Sequence, residues 1–189
     1  TVTIPNSVTT IQESAFENCR ELSAFYGKFA STDNRCLIVD GVLNSFAPKG
    51  LTTYNIPNSV TKIGGYAFAN RELTSITISD SVTAIGAGAF WNCFNLSTIT
   101  IPDSVTEIDN SVFGACFNLS AFNSKFATAD KRCLIVDGVL IAFAPKGAAS
   151  SYIVPDGVTK ISWYAFHNYK LTSITLTASV TTIEYGALD

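Results

Sequence analysis

Apolar positions along this chain recur in a fixed order. A strand-like Leu-x-x-Ile-x-Ile, as in Leu73 to Ile78, alternates apolar and polar residues, the mark of a half-buried strand. It recurs at Leu96 to Ile101 and Leu171 to Leu176. A segment Ser-Val-Thr-x-Ile then places an apolar pair at Val8/Ile11, Val60/Ile63, Val82/Ile85, Val105/Ile108, Val158/Ile161 and Val180/Ile183. Five residues beyond each Ile stands Phe16, Phe68, Phe90, Phe113 or Phe166, with Leu188 in the last copy. Successive copies are 52, 22, 23, 53 and 22 residues apart. A unit of that size buries its apolar column only against neighbours, so the pattern predicts a β-rich solenoid of about six 22–23-residue rungs with little helix.

The two long spacings carry matched insertions, at about 25–53 and 122–151. Cys36 to Gly50 repeats as Cys133 to Gly147, with only Asn44 and Ser45 changed, to Ile141 and Ala142. Asp40-Gly41 and Asp137-Gly138 sit between β-rich runs, which predicts two hairpins, expected to project from the solenoid. Pro5, Pro57, Pro102 and Pro155, each followed by Asn or Asp, fit type I turns with Pro at the first central position. The copies at Phe68 and Phe166 are one residue short and lack the corner Cys of the others.

The motif Ile-Pro-x-Ser-Val-Thr-x-Ile-x-x-x-Ala-Phe-x-x-Cys-x-x-Leu resembles the BspA-type, or treponemal-type, leucine-rich repeat over essentially the whole chain. The Cys-Leu-Ile-Val-Asp-Gly-Val-Leu segments resemble a hairpin found in many members. The resemblance implies a right-handed, curved solenoid with its strands on the concave side. It also implies a secreted or surface-exposed bacterial protein, often an adhesin, and no catalytic residue. Ser79 and Thr177 for Pro, Gly157 for Ser and Leu188 for Phe depart from the motif only in turn and core details.

Only 14% of residues are charged, and the net charge of −3 with scattered Lys and Arg argues against a nucleic-acid stripe. No apolar run approaches a bilayer span, so no membrane insertion is expected. The chain is read as a single solenoid domain, 1–189, expected to belong to a longer protein carrying the export signal, and as a monomer. The five cysteines, Cys19, Cys36, Cys93, Cys116 and Cys133, form no Cys-x-x-Cys pair and are expected as unpaired, mostly buried thiols.

His167 is the sole histidine, at a corner held elsewhere by Glu17, Ala69, Trp91 and Gly114, and reads as a surface residue rather than a general base. The Asn6, Asn58, Asp80, Asp103, Asp156 column reads as turn chemistry rather than calcium ligation. No catalytic residue, cofactor or metal is expected. The sequence therefore points to an adhesion or protein-interaction module for protein or glycan on host or neighbouring cells. A structural spacer and, less readily, a glycan-active enzyme are the alternatives. Strand positions Asn55, Thr77, Thr100, Ile153 and Thr175, with the aromatic residues Phe25, Tyr26, Trp91 and Trp163, are the candidate binding surface.

Overall fold

The computed structural model describes residues 1–147, 149–167 and 169–189. Among them there are seventeen short strands and no helix. The first turn of chain gives β1 (Val2–Ile4). The first insertion gives β2 (Phe25–Gly27), β3 (Cys36–Val39) and β4 (Val42–Phe46). Three regular turns follow: β5 (Thr53–Asn55) with β6 (Lys62–Ile63), β7 (Ser75–Thr77) with β8 (Ala84–Ile85), and β9 (Thr98–Thr100) with β10 (Glu107–Ile108). The second insertion gives β11 (Ala121–Asn123), β12 (Cys133–Val136) and β13 (Val139–Phe143). The last two turns give β14 (Ser151–Ile153), β15 (Lys160–Ile161), β16 (Ser173–Thr175) and β17 (Thr182–Ile183).

Like strands stack in parallel on like. One wall is β1-β2, then β5-β7-β9-β11, then β14-β16, so it is interrupted after each insertion. The opposite wall is β3-β4-β6-β8-β10 and then β12-β13-β15-β17. Each insertion therefore supplies a turn of its own. β2 stacks on β1, and β4 lies parallel to β6 with Leu43 opposite Ile63; β13 and β15 repeat this with Leu140 opposite Ile161. The solenoid has about eight turns, not six. The hairpins form as expected at Asp40-Gly41 and Asp137-Gly138, but they lie in the wall rather than projecting from it. The reason is apolar: Phe46 and Phe143 are fully buried, with ring centroids 4.9 Å from Phe68 and Phe166 respectively. A projecting hairpin would leave both rings in water.

Between the walls runs a ladder of buried Phe. Phe68 stacks on Phe90 at 5.5 Å and Phe90 on Phe113 at 5.3 Å, each worth about 0.5–1.5 kcal/mol beyond area burial. Thr keeps its place in Ser-Val-Thr by bonding between turns. The Thr83 and Thr106 hydroxyls donate to the carbonyls of Thr61 and Thr83, and Thr61 and Thr159 donate to Gly41 and Gly138 at the hairpin turns. The proline turns differ from expectation. The N–H groups of Val8, Val60, Val105 and Val158 donate to the carbonyls of Pro5, Pro57, Pro102 and Pro155, so Pro opens the turn instead of taking its first central position. Only its carbonyl is needed there, which is why Ser79 and Thr177 can replace it, accepting from Val82 and Val180.

Candidate functional site

The corner after each Phe is held by one repeated bond. Cys93 and Cys116 donate their thiols to the carbonyls of Phe68 and Phe90 in the preceding turn. In the short copies the Cys is replaced, not merely lost. Arg71 reaches the Phe16 carbonyl at 3.3 Å and Tyr169 the Phe113 carbonyl at 3.4 Å, long side chains spanning across the inserted turn. Arg71 is almost wholly buried, and burial holds its guanidinium below its ordinary pKa. Tyr169 is thus a core corner, and burial pushes its hydroxyl well above the usual range.

Four cysteines are buried and Cys19 is exposed. Burial pushes Cys36, Cys93 and Cys133 up to about 12, and Cys116 well above its ordinary value. None of these four is poised as a thiolate nucleophile. Cys36 and Cys133 belong to two matched clusters. Tyr54 lies 3.1 Å from the Cys36 sulfur and donates to the Asp33 carboxylate at 2.9 Å. The Cys133 thiol donates to Tyr152, which donates to Asp130 at 3.1 Å.

The strand face presents one outward row: Thr3, Tyr26, Asn55, Thr77, Thr100, Asn123, Ile153 and Thr175, in register between paired strands. Asn55, Thr77, Thr100, Ile153 and Thr175 are all exposed, and so is Tyr26. Phe25 is not. It pairs with Val2 in the inward column and is fully buried, so it leaves the candidate surface and joins the core.

Trp91 and Trp163 belong to a separate group of rings, linked through Tyr164 and Tyr185. Trp91 lies over Gly114, where an added Cβ would meet its ring at 2.1 Å. Its ring is 5.0 Å from Tyr164 and 5.7 Å from His167. Tyr164 meets Tyr185 at 5.7 Å, and Tyr185 meets Trp163 at 5.9 Å. The result is a five-ring ledge along one edge of the later turns. Trp163 is 43% and Tyr185 68% exposed, while the other three are partly covered by one another. Tyr185 was not singled out in the sequence, and His167 was read there only as a surface residue. Tyr185 shares a column with Glu13, Gly65, Ala87, Asn110 and Trp163, so reading down columns instead of along motifs would have found it.

Tyr164 sits in a column with one backbone habit. Ser14, Tyr66, Gly88, Ser111, Tyr164 and Gly186 all have φ between 55° and 63°. Left-handed geometry is unusual for a bulky residue. Tyr66 and Tyr164 each roof the glycine of the next turn, where an added Cβ would come within 2.4 Å of the ring.

With this geometry in view, the model of the BspA type leucine rich repeat region matches residues 1–34, 43–134 and 141–189 in six copies. The chain belongs to the BspA-type leucine-rich repeat family. No curated protein matches it. Among solved structures it is similar to a leucine rich cell surface protein from Faecalibacterium prausnitzii A2-165, at 25% identity and a TM-score of 0.59 over 98% of this chain and 61% of that one. It is similar in fold to a leucine-rich repeat protein from Eubacterium ventriosum ATCC 27560, at 24% identity and a TM-score of 0.63 over 99% of this chain and 57% of that one. The BspA-type chain thus spans about three fifths of the length of these proteins. Among its described residues no helix is long and apolar enough to cross a membrane.

Proposed function

We propose that this BspA-type solenoid is a non-catalytic adhesion or protein-interaction module displayed outside the cell, binding protein or glycan on host or neighbouring cells as a monomer. The observation that carries the reading is a solvent-facing row that the core does not need: eight positions, in three runs of paired strands, whose strand neighbours face the interior. Within each run, parallel stacking sets these positions side by side as an extended contact surface, the usual working face of a solenoid. The buried thiols, with raised pKa values, offer no activated nucleophile, which supports a binding role over chemistry. The resemblance to a bacterial cell surface protein supports the location.

A spacer role has one specific observation in its favour. Much of the strand face is Ser and Thr, and Thr74, Ser97 and Ser120 spend their hydroxyls on the carbonyls of the neighbouring turn. The test is an array of host matrix proteins and glycans probed with this chain, followed by Thr77→Lys and Thr100→Lys. Both sites are exposed, so the fold is expected to survive. A captured partner whose binding weakens in both variants supports the reading. Full binding by both variants refutes the strand-face assignment, and an array without a hit leaves the spacer role standing.

A further inference from the structure

The ledge is more than the fold requires, because the chain contains its own control. The unit recurs after 97 or 98 residues, so each ledge position of the second half has a counterpart in the first, where Trp91 itself lies. Trp163 corresponds to Gly65, His167 to Ala69 and Tyr185 to Ala87, while only Tyr164 has an aromatic counterpart, Tyr66. Both halves form the same turns on the same strand register, so Gly and Ala satisfy these positions structurally. Large rings there add exposed apolar surface without filling the interior. Exposed aromatic anchors of that kind mark recognition surfaces.

The charges beside the ledge say what would sit on it. Ser162-Trp163 and Glu184-Tyr185 run from the ledge into a cleft that Asp109, Asn110 and Asp137 also line. The Ser111 hydroxyl bonds the Trp163 carbonyl and ties the two together. The cleft holds three carboxylates against one ammonium, Lys160, which is paired with Glu184 at 3.0 Å. Asp109 and Asp137 have no ion-pair partner among the described residues. A sugar hydroxyl can donate to a carboxylate, but only a cation also gains from its unpaired negative charge and from the ring faces, so the net charge favours a cationic occupant. The matching cleft of the first half has Glu13, Asp40 and Lys62, with Gly65 and Ala87 where the second half has Trp163 and Tyr185 and only Tyr66 as an aromatic equivalent.

We propose that the Trp91–Tyr164–Tyr185–Trp163 ledge and the adjoining Asp109/Asp137 cleft form a docking site for a basic protein segment. Arginine or lysine side chains would lie over the exposed rings with their charge toward the two carboxylates. The inference deepens the protein-interaction reading by naming a second surface and the chemistry of its partner.

The chain has two tryptophans, both on the ledge, so its two indole N–H signals report this site alone. The ¹⁵N-labelled chain is titrated with a blocked (Arg-Gly)₄ peptide, with the same peptide carrying neutral citrulline for arginine, and with a soluble β-linked gluco-oligosaccharide. The arginine peptide is expected to shift both indole signals saturably, with binding about tenfold weaker for citrulline and reduced again by salt. Trp163→Gly and Tyr185→Ala, which copy Gly65 and Ala87, are each expected to weaken binding about fivefold with the rest of the spectrum unchanged. Asp109→Asn with Asp137→Asn is expected to do the same. Equal binding of the citrulline peptide, shifts only away from the ledge, no saturable shift, or binding of the oligosaccharide alone would overturn the proposal. The strand-face test is independent. A partner lost in the Thr77 and Thr100 variants beside a silent ledge removes this inference only. A responsive ledge beside an empty array removes the strand-face reading only.

Discussion

The two halves of the molecule share an interior and differ at its edges. Phe46 packs on Tyr54 at 4.6 Å and Phe68 at 4.9 Å; Phe143 packs on Tyr152 at 4.7 Å and Phe166 at 4.9 Å. Asp33–Tyr54–Cys36 recurs as Asp130–Tyr152–Cys133. Even a surface contact recurs, with Lys28 over Phe29 at 4.9 Å and Lys125 over Phe126 at 5.1 Å. Against this sameness stand Arg71 for Tyr169, Asn44 for Ile141, and Gly65 and Ala87 for Trp163 and Tyr185. Stacking fixes whatever must contact the next turn and leaves the outward groups free. A difference between halves is therefore either a defect the fold tolerates or a group placed for something outside it.

The hardest test of the shared interior is to remove one hairpin Phe from each half. Phe46→Ala and Phe143→Ala are each expected to cost about 3–5 kcal/mol by urea denaturation, agreeing within about 1 kcal/mol. Hairpins that merely projected would lose far less, and unequal losses would break the equivalence.

The corner bond to the Phe carbonyl of an earlier turn separates the halves next. Arg71 brings a charge into the core, with Nε and Nη1 lacking hydrogen-bond partners among the described residues. Tyr169 makes the same reach with a neutral hydroxyl. Arg71→Tyr, copying the second half, is expected to raise stability by about 1–2 kcal/mol, and Tyr169→Arg to lower it by about 2–3 kcal/mol. Denaturation midpoints that moved the other way would mean Arg71 has compensation that its buried position hides.

These outcomes bear on what a sequence discloses. The regular turns were legible because Val, Ile and Phe recur at fixed spacing, and spacing is all that parallel stacking needs. That each insertion is itself a turn was not legible. Asp-Gly fixes how β3 meets β4, but nothing local says that the far edge of β4 meets β6. Phe25 was misplaced by one residue of register, since an inward Phe and an outward Tyr are adjacent in a strand of period two. The ledge was half visible. Trp91 and Trp163 stood out as aromatics outside the motif, but their meeting depends on turns that lie far apart in sequence.

A smaller difference lies on the hairpins. Asn44 is buried, and its side-chain amide makes one long bond, 3.4 Å to the Val42 carbonyl, where Ile141 is an apolar member of the core. Asn44→Ile is expected to add about 1 kcal/mol to stability, because the amide is poorly compensated and the second half shows that Ile fits. Loss of stability in a thermal melt would show that the first hairpin packs differently from the second.

The smallest effect is expected where the halves agree, and it concerns acid. Burial tends to raise the Asp33 and Asp130 pKa values, but hydrogen bonds to each carboxylate win and hold both below 3.8. Those donors are the Ser31 or Thr128 hydroxyl, the Arg35 or Arg132 N–H, and the Tyr54 or Tyr152 hydroxyl. A carboxylate with a depressed folded pKa contributes stability that is fully present above its unfolded value, near 4, and is lost as pH falls through the folded one. Tyr54→Phe and Tyr152→Phe each remove one donor, so each raises its folded pKa toward the ordinary value. Both carboxylates are exposed and screened, which limits each loss at neutral pH to about 1 kcal/mol or less. The diagnostic is slope: denaturation free energy plotted from pH 5 to pH 2 is expected to fall less steeply in either variant than in the unchanged chain. The double variant is expected to show the sum, since the two clusters lie in different halves with no shared residue. Steeper acid loss in a variant would mean that these tyrosines do not hold the carboxylates charged, and their pairing with Cys36 and Cys133 would then be what the repeat preserves.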